Sequence, residues 1–373
     1  MRFHLDRDVL NEAVSWATRT LPTRPAMPIL QGVKIVADTT GELKLSTFDY
    51  EVSAHITLPA EVDEAGEVLV QGRMLSEIVR ALPNKPVSFQ LEGTKVEIRC
   101  GSSRFTLAVL PIGDYPALPE LPPVVGTIDS SLFAQAISQV SIAASKDDVV
   151  PLLTGVRIEI DGEKVAMMAT DRFRLAMREF TWNPSDPSAE MSAIVRSRTL
   201  TEVARSLGSG SVEIALNTGE QASIIGFESA GRRTTSTLVD GDYPPVRRLF
   251  PDNTNYSMTV ATQPLIEAVK RVSLVAERNT PVRLTFSEGQ VALEAGAGDD
   301  AQASEVIEAQ VEGGELVVGY NSGFLLEGLG AFTTDFVQFK MPDSIKPSVI
   351  RGQESQDADA DDSYRYLLMP MRI

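Results

Sequence analysis

The stretch GRMLSEIVRALP, at residues 72–83, recurs in outline as RSRTLTEVARSLG at 196–208 and as NSGFLLEGLGAF at 321–332. In each stretch, apolar residues stand at i, i+3, i+4 and i+7, which is one face of an amphipathic helix. The three faces are Leu75, Ile78, Val79, Leu82; Leu200, Val203, Ala204, Leu207; and Leu325, Gly328, Leu329, Phe332. Each set lies 125 positions after the previous one, so the sequence predicts a threefold internal repeat.

Other elements recur in step with this helix. An earlier predicted helix is repeated near residues 9–17, 132–140 and, more loosely, 265–272, and strand patterns follow near Pro28, Pro151 and Pro281. Proline-rich stretches at 117–126 and 244–253 separate the copies. The predicted fold class is α+β, with three repeated domains at residues 1–124, 125–251 and 252–373. Each domain is expected to hold two helices and antiparallel sheets. A duplicated scaffold without a shared function would give the same repeat.

The composition excludes several kinds of chemistry. One cysteine, Cys100, and two histidines, His4 and His55, leave no zinc cluster and no Cys/His pair at catalytic spacing. Neither of the common glycine-rich phosphate loops occurs, so we expect no cofactor and no metal. The start, MRFHLDRDVL, lacks the apolar stretch of a secretory signal, and no window approaches about 18 uninterrupted apolar residues. We therefore expect a cytoplasmic protein without a membrane partner.

Charge is distributed unevenly along the chain. The whole chain has 34 Lys plus Arg against 51 Asp plus Glu, a formal net charge of −17. Six windows around the predicted helices (7–24, 72–85, 130–146, 196–207, 263–279 and 321–332) hold 13 basic and 7 acidic residues. Basic helices in an acidic chain could hold nucleic acid by its backbone without reading sequence. Arginine is also a good helix former, and a merely solvated face explains the charge equally well.

Five motifs, in order, carry a resemblance to a known family. They are RPAMPIL from Arg24, SSRFTLAVLP from Ser102, ATDRFRLA from Ala169, STLVDGDYPPVRRLFP from Ser236 and the final MPMRI. With the threefold repeat, the chain resembles the bacterial sliding clamps, the beta subunits of the replicative DNA polymerase III, over essentially its whole length. The resemblance implies the DNA clamp fold: two copies in a head-to-tail homodimer, with helices lining a central hole and sheets outside.

The resemblance also implies a function. The ring would encircle duplex DNA without sequence preference and confer processivity on the replicative DNA polymerase, and it would not be an enzyme. Loading would depend on a separate clamp loader. By position, Arg24 matches a DNA-contacting arginine of the family. Further DNA-binding candidates come from the basic helices: Arg73, Lys146, Arg196, Arg198, Arg205, Lys270, Arg271 and Arg278. Subunit contacts would involve Phe105 and Leu107 of one copy and Leu274 of the other, although intradomain core is an alternative for each.

The family further implies a hydrophobic groove for short linear motifs carried by the polymerase, the clamp loader and repair proteins. Matching positions give Leu153, Thr170, Arg174, Leu175, Pro244, Arg248, Leu249, Ser348, Leu367, Met369, Pro370, Met371 and Arg372. Methionine suits such a site because its flexible, polarizable side chain adapts to different apolar partners. The alternative for the terminal YRYLLMPMRI is a last strand that packs its own domain.

Three positions depart from the family pattern. Arg172 and Phe173 follow the ATD triplet where Gly and then His or Tyr are common, which is expected to alter partner preference. An aromatic residue that often closes the groove falls near Asn279. The acidic stretch at 353–362 is longer than expected and is interpreted as a solvated hairpin loop.

Two other classes of function, an enzyme and an interaction scaffold, are alternatives for this sequence. An enzyme could use Thr170 with Asp171, or Asp114 with Tyr115, as acid/base pairs, but such pairs are more typical of turns, and no nucleophile or metal set accompanies them. A repeat protein acting as an interaction scaffold without DNA would show no difference between circular and linear DNA.

Overall fold

A computed structural model describes residues 1–217, 223–251, 253–277, 280–296 and 301–373. The first elements are β1 (Arg2–Leu5), α1 (Arg7–Ala17), β2 (Gly32–Ala37), β3 (Glu42–Phe48), β4 (Val52–Pro59), β5 (Glu61–Glu64), β6 (Gly66–Gln71), α2 (Gly72–Ala81), β7 (Val87–Glu92), β8 (Lys95–Cys100) and β9 (Ser103–Ala108). Next come β10 (Val124–Asp129), α3 (Ser130–Ser141), β11 (Gly155–Asp161), β12 (Lys164–Thr170), β13 (Arg174–Thr181), β14 (Asn183–Pro184), β15 (Glu190–Arg196), α4 (Ser197–Ser206), β16 (Ser211–Leu216), β17 (Ile224–Ser229) and β18 (Arg232–Thr237). The last are β19 (Tyr256–Ala261), α5 (Thr262–Val272), β20 (Val282–Ser287), β21 (Gln290–Ala295), β22 (Ala303–Glu312), β23 (Leu316–Tyr320), α6 (Ser322–Leu329), β24 (Phe336–Met341), β25 (Ser348–Gln353) and β26 (Asp361–Leu368).

These elements confirm the α+β class and the repeat. Helices α2, α4 and α6 begin at Gly72, Ser197 and Ser322, which are 125 residues apart. Their predicted apolar faces point inward: Leu75, Leu200 and Leu325 are fully buried. The chain divides into two compact units, one of residues 1–134, 183–186 and 202–238, the other of residues 135–182, 187–201 and 239–373.

The first unit contains two antiparallel sheets. One has the order β5-β1-β7-β8-β9, and the other has the order β14-β10-β16-β17-β18-β4-β3-β2-β6. Strand β18 joins β4 by pairs such as Arg232 with Ile56, so one sheet continues across two copies of the repeat. Helices α1 and α2 pack on each other over a core that includes the stacked rings of Phe3 and Phe89, 4.9 Å apart.

The second unit is built on one twelve-stranded sheet, β15-β11-β12-β13-β26-β25-β24-β19-β22-β21-β20-β23. Its middle joins β13 to the final strand β26, with Leu175 opposite Leu367 and Arg174 opposite Leu368. Strand β26 also pairs with β25. The hairpin loop predicted at 353–362 is shorter in the structure. Gln353 ends β25 and Asp361 begins β26, so residues 354–360 connect the two strands.

Helix α6 packs directly on the last strand. A Cβ on Gly328 would lie 2.2 Å from the ring of Tyr366, so only glycine allows this approach. The Tyr366 hydroxyl donates to the carbonyl of Phe324, 2.8 Å away, at the start of the same helix. The final strand is thus fixed on one side by β13 and β25 and on its face by α6.

Candidate functional site

An apolar cluster in the second unit surrounds the end of β26. We call it the tail cluster; its buried members are Ala166, Met168, Leu175, Met177, Ile194, Tyr243, Val246, Val349 and Leu367. Leu152, Val239 and Phe250 pack against it and are partly buried. The buried members come from five strands of the twelve-stranded sheet, β12, β13, β15, β25 and β26, and from the segment 239–250, so residues far apart in the sequence form one apolar surface.

The chain end is held on both sides beyond β26. The amide of Met369 donates to the carbonyl of Phe173 at 2.9 Å, and the amide of Met371 donates to the carbonyl of Gly319 at 2.8 Å. Met369 keeps 37 % of its surface exposed, and Pro370 and Met371 are partly buried. A flexible apolar side chain is therefore presented by an ordered backbone, next to the tail cluster.

The 171–173 loop between β12 and β13 forms one edge of this surface. Asp171 Oδ1 accepts the amides of Phe173 and Arg174 at 3.0 and 3.1 Å, and the Thr170 hydroxyl donates to the carbonyl of Arg174 at 2.7 Å. This bonding exposes 56 % of Phe173 and places Arg172 at φ +81°. Thr170 and Asp171 are engaged in a turn, which is the structural alternative to the acid/base pair considered above.

Arg174 is a buried cation beneath that loop. Its Nε donates to Asp171 Oδ2 at 2.9 Å, its Nη1 bonds Glu327 of α6, and its guanidinium lies 4.3 Å from the ring centre of Phe324. The Phe324 ring stacks in turn on Phe173, at 6.2 Å. A buried guanidinium needs such partners, because an unpaired charge away from water is costly.

Glu327 links this network to a further lysine. Lys146 Nζ lies 3.0 Å from Glu327 Oε1. Partial burial would raise the pKa of the Glu327 carboxyl, but the hydrogen bonds from Arg174 and Lys146 outweigh it, and the pKa lies below its ordinary value of 4.5.

The opposite edge is the short turn Val246–Leu249. Val246 is buried in the tail cluster, whereas Arg248 is exposed and Leu249 exposes 51 % of its surface. Arg247 points the other way, where its Nη1 reaches Glu179 at 2.9 Å and its Nε reaches Glu159 at 3.1 Å. The turn is thus anchored by one arginine and presents the next one to solvent.

Most of the predicted groove residues therefore come together in one unit. Those that are buried are Leu153, Thr170, Arg174, Leu175, Ser348 and Leu367. Those that are exposed or partly exposed are Pro244, Arg248, Leu249, Met369, Pro370, Met371 and Arg372. Ser348 has no exposed surface, and its hydroxyl lies 2.5 Å from that of Tyr320. Leu152, next to the predicted Leu153, is the leucine that packs on the tail cluster.

The sequence reasoning missed Phe324 and Glu327. The aromatic wall expected near Asn279 lies outside the described residues, and Phe324 is the aromatic residue that closes the edge beside Phe173. The sequence does place Phe324 in the repeated stretch NSGFLLEGLGAF. An aromatic residue in that stretch is equally typical of a helix core, so the sequence alone did not mark it as a site residue.

Comparison with known proteins identifies the family. The DNA polymerase III beta subunit models match in order: the N-terminal domain at residues 1–119, the central domain at 127–245 and the C-terminal domain at 247–372. The chain belongs to the DNA polymerase III beta subunit family. It is 49 % identical to the "Beta sliding clamp" of Streptomyces coelicolor over 375 residues, covering all of both chains. It is 53 % identical to that of Micrococcus luteus over 84 % of this chain and all of the relative.

Solved structures of this family superpose on the whole chain. The DNA polymerase sliding clamp from Bacillus subtilis matches with a TM-score of 0.92 at 26 % identity, covering 100 % of this chain and 99 % of its own. A sliding clamp from Pseudomonas aeruginosa, described as bound to griselimycin, matches with a TM-score of 0.91 at 29 % identity over all of both chains. The clamp fold is therefore shown for this beta subunit family member.

The beta subunit's predicted DNA-contacting residues lie on both units. In the first unit, Arg24 and Arg73 are exposed and make no ion pair among the described residues, whereas Arg205 pairs with Glu202 at 2.6 Å. In the second unit, Arg198 and Lys270 are exposed, and Arg271 pairs with Glu305 at 2.6 Å. Arg196 is partly buried, Lys146 pairs with Glu327 as described, and Arg278 lies outside the described residues.

The predicted subunit contacts lie on strand β9 and just after helix α5. Leu107 is also a buried member of the first unit's core and Phe105 packs against that core, as the intradomain alternative expects. Phe105 and Leu107 are on β9, the last strand of the five-stranded sheet; Phe105 is partly buried and Leu107 is buried. Leu274 follows α5 and is 85 % exposed, the highest value among the exposed large apolar residues of the described chain. This exposure leaves the Leu274 side chain accessible to a second copy.

Metal-binding clusters and membrane-spanning helices would point to other functions. No group of three or more His, Cys, Asp or Glu among the described residues is placed to hold a metal ion. No helix among them is both long and apolar enough to cross a membrane. The Tyr115 hydroxyl, a member of the second acid/base pair considered, accepts the amide of Phe48 at 2.7 Å.

Proposed function

We propose that this chain works as a sliding clamp: a homodimeric ring that encircles duplex DNA and holds the replicative DNA polymerase and other proteins on it. The observation that carries the proposal is the presentation of Met369, Leu249 and Phe173 around the ordered tail cluster, in a chain that matches the beta subunit family over its full length. The tail is held in the site, rather than frayed as chain ends usually are.

The ring supplies residence on DNA, and the site supplies partner capture. Exposed Lys and Arg would make weak phosphate contacts that exchange during sliding. The leading candidates are those that make no ion pair with any residue the structure describes: Arg24, Arg73, Arg198 and Lys270. The three domain bounds, residues 1–124, 125–251 and 252–373, are retained as part of the proposal, with one groove in each copy. Two grooves on one ring raise the local concentration of weakly binding partners.

Free strand edges support the homodimer. Strand β9 is an edge strand; within the described part of the chain, residues 303–308 of β22 pair with β21 alone, whereas residues 309–312 pair with β19. An unpaired edge is a template for pairing with another chain. We propose that β9 of one copy meets β22 of the other, with Phe105, Leu107 and Leu274 filling the contact.

On this proposal, the protein is cytoplasmic and catalyses no reaction. Thr170 and Asp171 make hydrogen bonds within their own turn, and the Tyr115 hydroxyl accepts the amide of the distant Phe48; these contacts account for the positions of the three side chains. The family's role as a processivity factor likewise needs no reaction from the clamp itself. ATP hydrolysis would belong to the separate clamp loader.

Retention on circular DNA tests this function. The labelled protein is loaded on a nicked circular plasmid by its clamp loader and ATP, separated from free protein by gel filtration, and the plasmid is then linearised. We expect the protein to elute with circular DNA and to be lost after linearisation, because a ring slides off free ends. Equal retention on both forms contradicts a ring and favours a DNA-bound or DNA-independent scaffold.

A further inference from the structure

We propose that Arg172 selects partner peptides that carry a carboxylate beside their apolar anchors. This inference rests on the proposed function of the tail cluster as a peptide site. It concerns a charged side chain at a backbone position, φ +81°, that glycine adopts more readily.

The backbone at Arg172 is one that glycine adopts more readily. Its φ of +81° is in the left-handed region, which costs an L-residue free energy because its Cβ crowds the following carbonyl. The Thr170 hydroxyl accepts the Arg172 amide at 3.2 Å, and Asp171 accepts the next two amides. The loop therefore imposes this conformation whatever side chain stands at position 172.

The first repeat contains the same loop with a different outcome. Asp49 Oδ1 accepts the amides of Glu51 and Val52 at 3.0 and 2.7 Å, and Tyr50 between them has φ +74°. The Tyr50 ring lies 5.6 Å from that of Phe48, so its side chain has an apolar contact within the protein. The strained position in the first repeat thus carries a side chain that keeps a ring contact with its own loop, although 52 % of Tyr50 is exposed.

Arg172 has no corresponding contact. Its side chain is exposed and makes no ion pair among the described residues. The two carboxylates of the adjacent network are already engaged: Asp171 with Arg174, and Glu327 with Arg174 and Lys146. A guanidinium held at a strained position without an internal partner is available to a ligand.

The surroundings define the chemistry of that ligand. Arg172 is followed by the exposed Phe173, whose carbonyl holds Met369. Arg248 and Arg372 are likewise exposed without an ion pair among the described residues, although the chain as a whole carries −17. An apolar surface bordered by free arginines is complementary to an acidic peptide with apolar anchors, and the rim charges would raise its association rate.

Two labelled peptides test the assignment. Both have the clamp-binding segment of the replicative polymerase, one with Asp and one with Asn next to the apolar anchors, and binding is measured by fluorescence anisotropy. For the unaltered protein we expect the Asn peptide to bind about 3- to 5-fold more weakly, the range of an exposed ion pair. In Arg172→Gly this ratio is expected to fall to about 1, and in Arg172→Glu to invert.

The backbone strain at Arg172 gives a second measurement, in which the substitution is expected to stabilise the fold although it weakens peptide selection. Arg172→Gly is expected to raise the melting temperature, since glycine accepts the left-handed backbone, while it removes the preference for Asp. The matched control Tyr50→Gly changes the equivalent loop of the first repeat and should leave the Asp-to-Asn ratio as it is. An unchanged ratio in Arg172→Gly overturns the inference while leaving the proposed function intact. Failure of the unaltered protein to bind either peptide contradicts the proposed function itself.

Discussion

Gly328 shows how one missing side chain places the tail. The ring of Tyr366 occupies the space where a Cβ would stand, at 2.2 Å. We expect Gly328→Ala to destabilise the protein by about 1–3 kcal/mol, the usual cost of overpacking, and to weaken peptide binding because β26 must shift. Thermal unfolding and fluorescence anisotropy measure the two effects. Gly113→Ala is the control, since a Cβ there meets no atom within 4 Å; equal effects of both variants would contradict this account.

Glu327 gives the Arg174 network a pH dependence. Its pKa is lowered in the folded protein, so the folded state binds a proton less readily than the unfolded chain. The stabilisation is present above the unfolded value of about 4.5 and is lost as the pH falls through the folded pKa.

Replacing the Glu327 carboxylate tests whether it causes this pH dependence. Glu327→Gln should lower stability at pH 7 by about 1–2 kcal/mol, because Arg174 loses a charged partner, and should show a smaller further loss below pH 4.5 than the unaltered protein. Melting temperatures across pH 3–7 provide the measurement. Glu267→Gln, at an exposed pair with Arg271, should cost less than about 0.5 kcal/mol. A parallel pH profile for Glu327→Gln and the unaltered protein would exclude this role.

At the scale of elements, the Val246–Leu249 turn depends on its anchor. Arg247 bridges Glu159 of β11 and Glu179 of β13, and Glu179 also accepts from Arg365 of β26 at 2.7 Å. The Arg365 guanidinium in turn lies 4.7 Å from the Phe250 ring centre. The charged side chains of three strands therefore hold the turn that presents Arg248 and Leu249.

Removing the anchor should loosen the turn without removing any exposed contact. We expect Arg247→Gln to weaken peptide binding several-fold, mainly through faster dissociation, since the site loses preorganisation. Stopped-flow anisotropy separates the two rates. Arg283→Gln removes a comparable exposed pair with Glu294 at 3.7 Å and should leave both rates as they are. Unaltered dissociation in Arg247→Gln would show that the turn is held by Val246 alone.

The repeated helices could be predicted from the sequence, because burial of one helix face requires apolar residues at helical spacing. The spacing of Leu75, Leu200 and Leu325 predicted three helices whose starts the structure places 125 residues apart. The resemblance supplied the candidate groove residues, of which Leu175 and Leu367 are buried members of the tail cluster. Periodicity could not separate Arg247 from Arg248, because adjacent identical residues differ only in the partners that folding provides. Nor could it show that Ser348 would be enclosed or that Phe324 would face Phe173, since both depend on contacts distant in sequence.

At the scale of the whole molecule, the proposed ring predicts a specific interface. Leu274→Asp places a charge where an 85 % exposed leucine is expected to be covered by the second copy. We expect this variant to shift the dimer to a monomer of 40.4 kDa in mass photometry, because burying an unpaired charge is costly. Val149→Asp, at a similarly exposed position outside the proposed contact, is the control. A dimer unaffected by Leu274→Asp would place the interface elsewhere.

Oligomeric state and peptide capture, measured on the same protein, test the proposed clamp. Mass photometry and fluorescence anisotropy with the labelled polymerase peptide are applied to the unaltered protein and to the double variant Met369→Ala, Met371→Ala. We expect a dimer in both cases and loss of peptide binding in the double variant alone, because both methionines are predicted to line the groove and neither is among the residues of the proposed subunit contact. A stable monomer that ignores the peptide, or a double variant that binds it undiminished, would contradict the account.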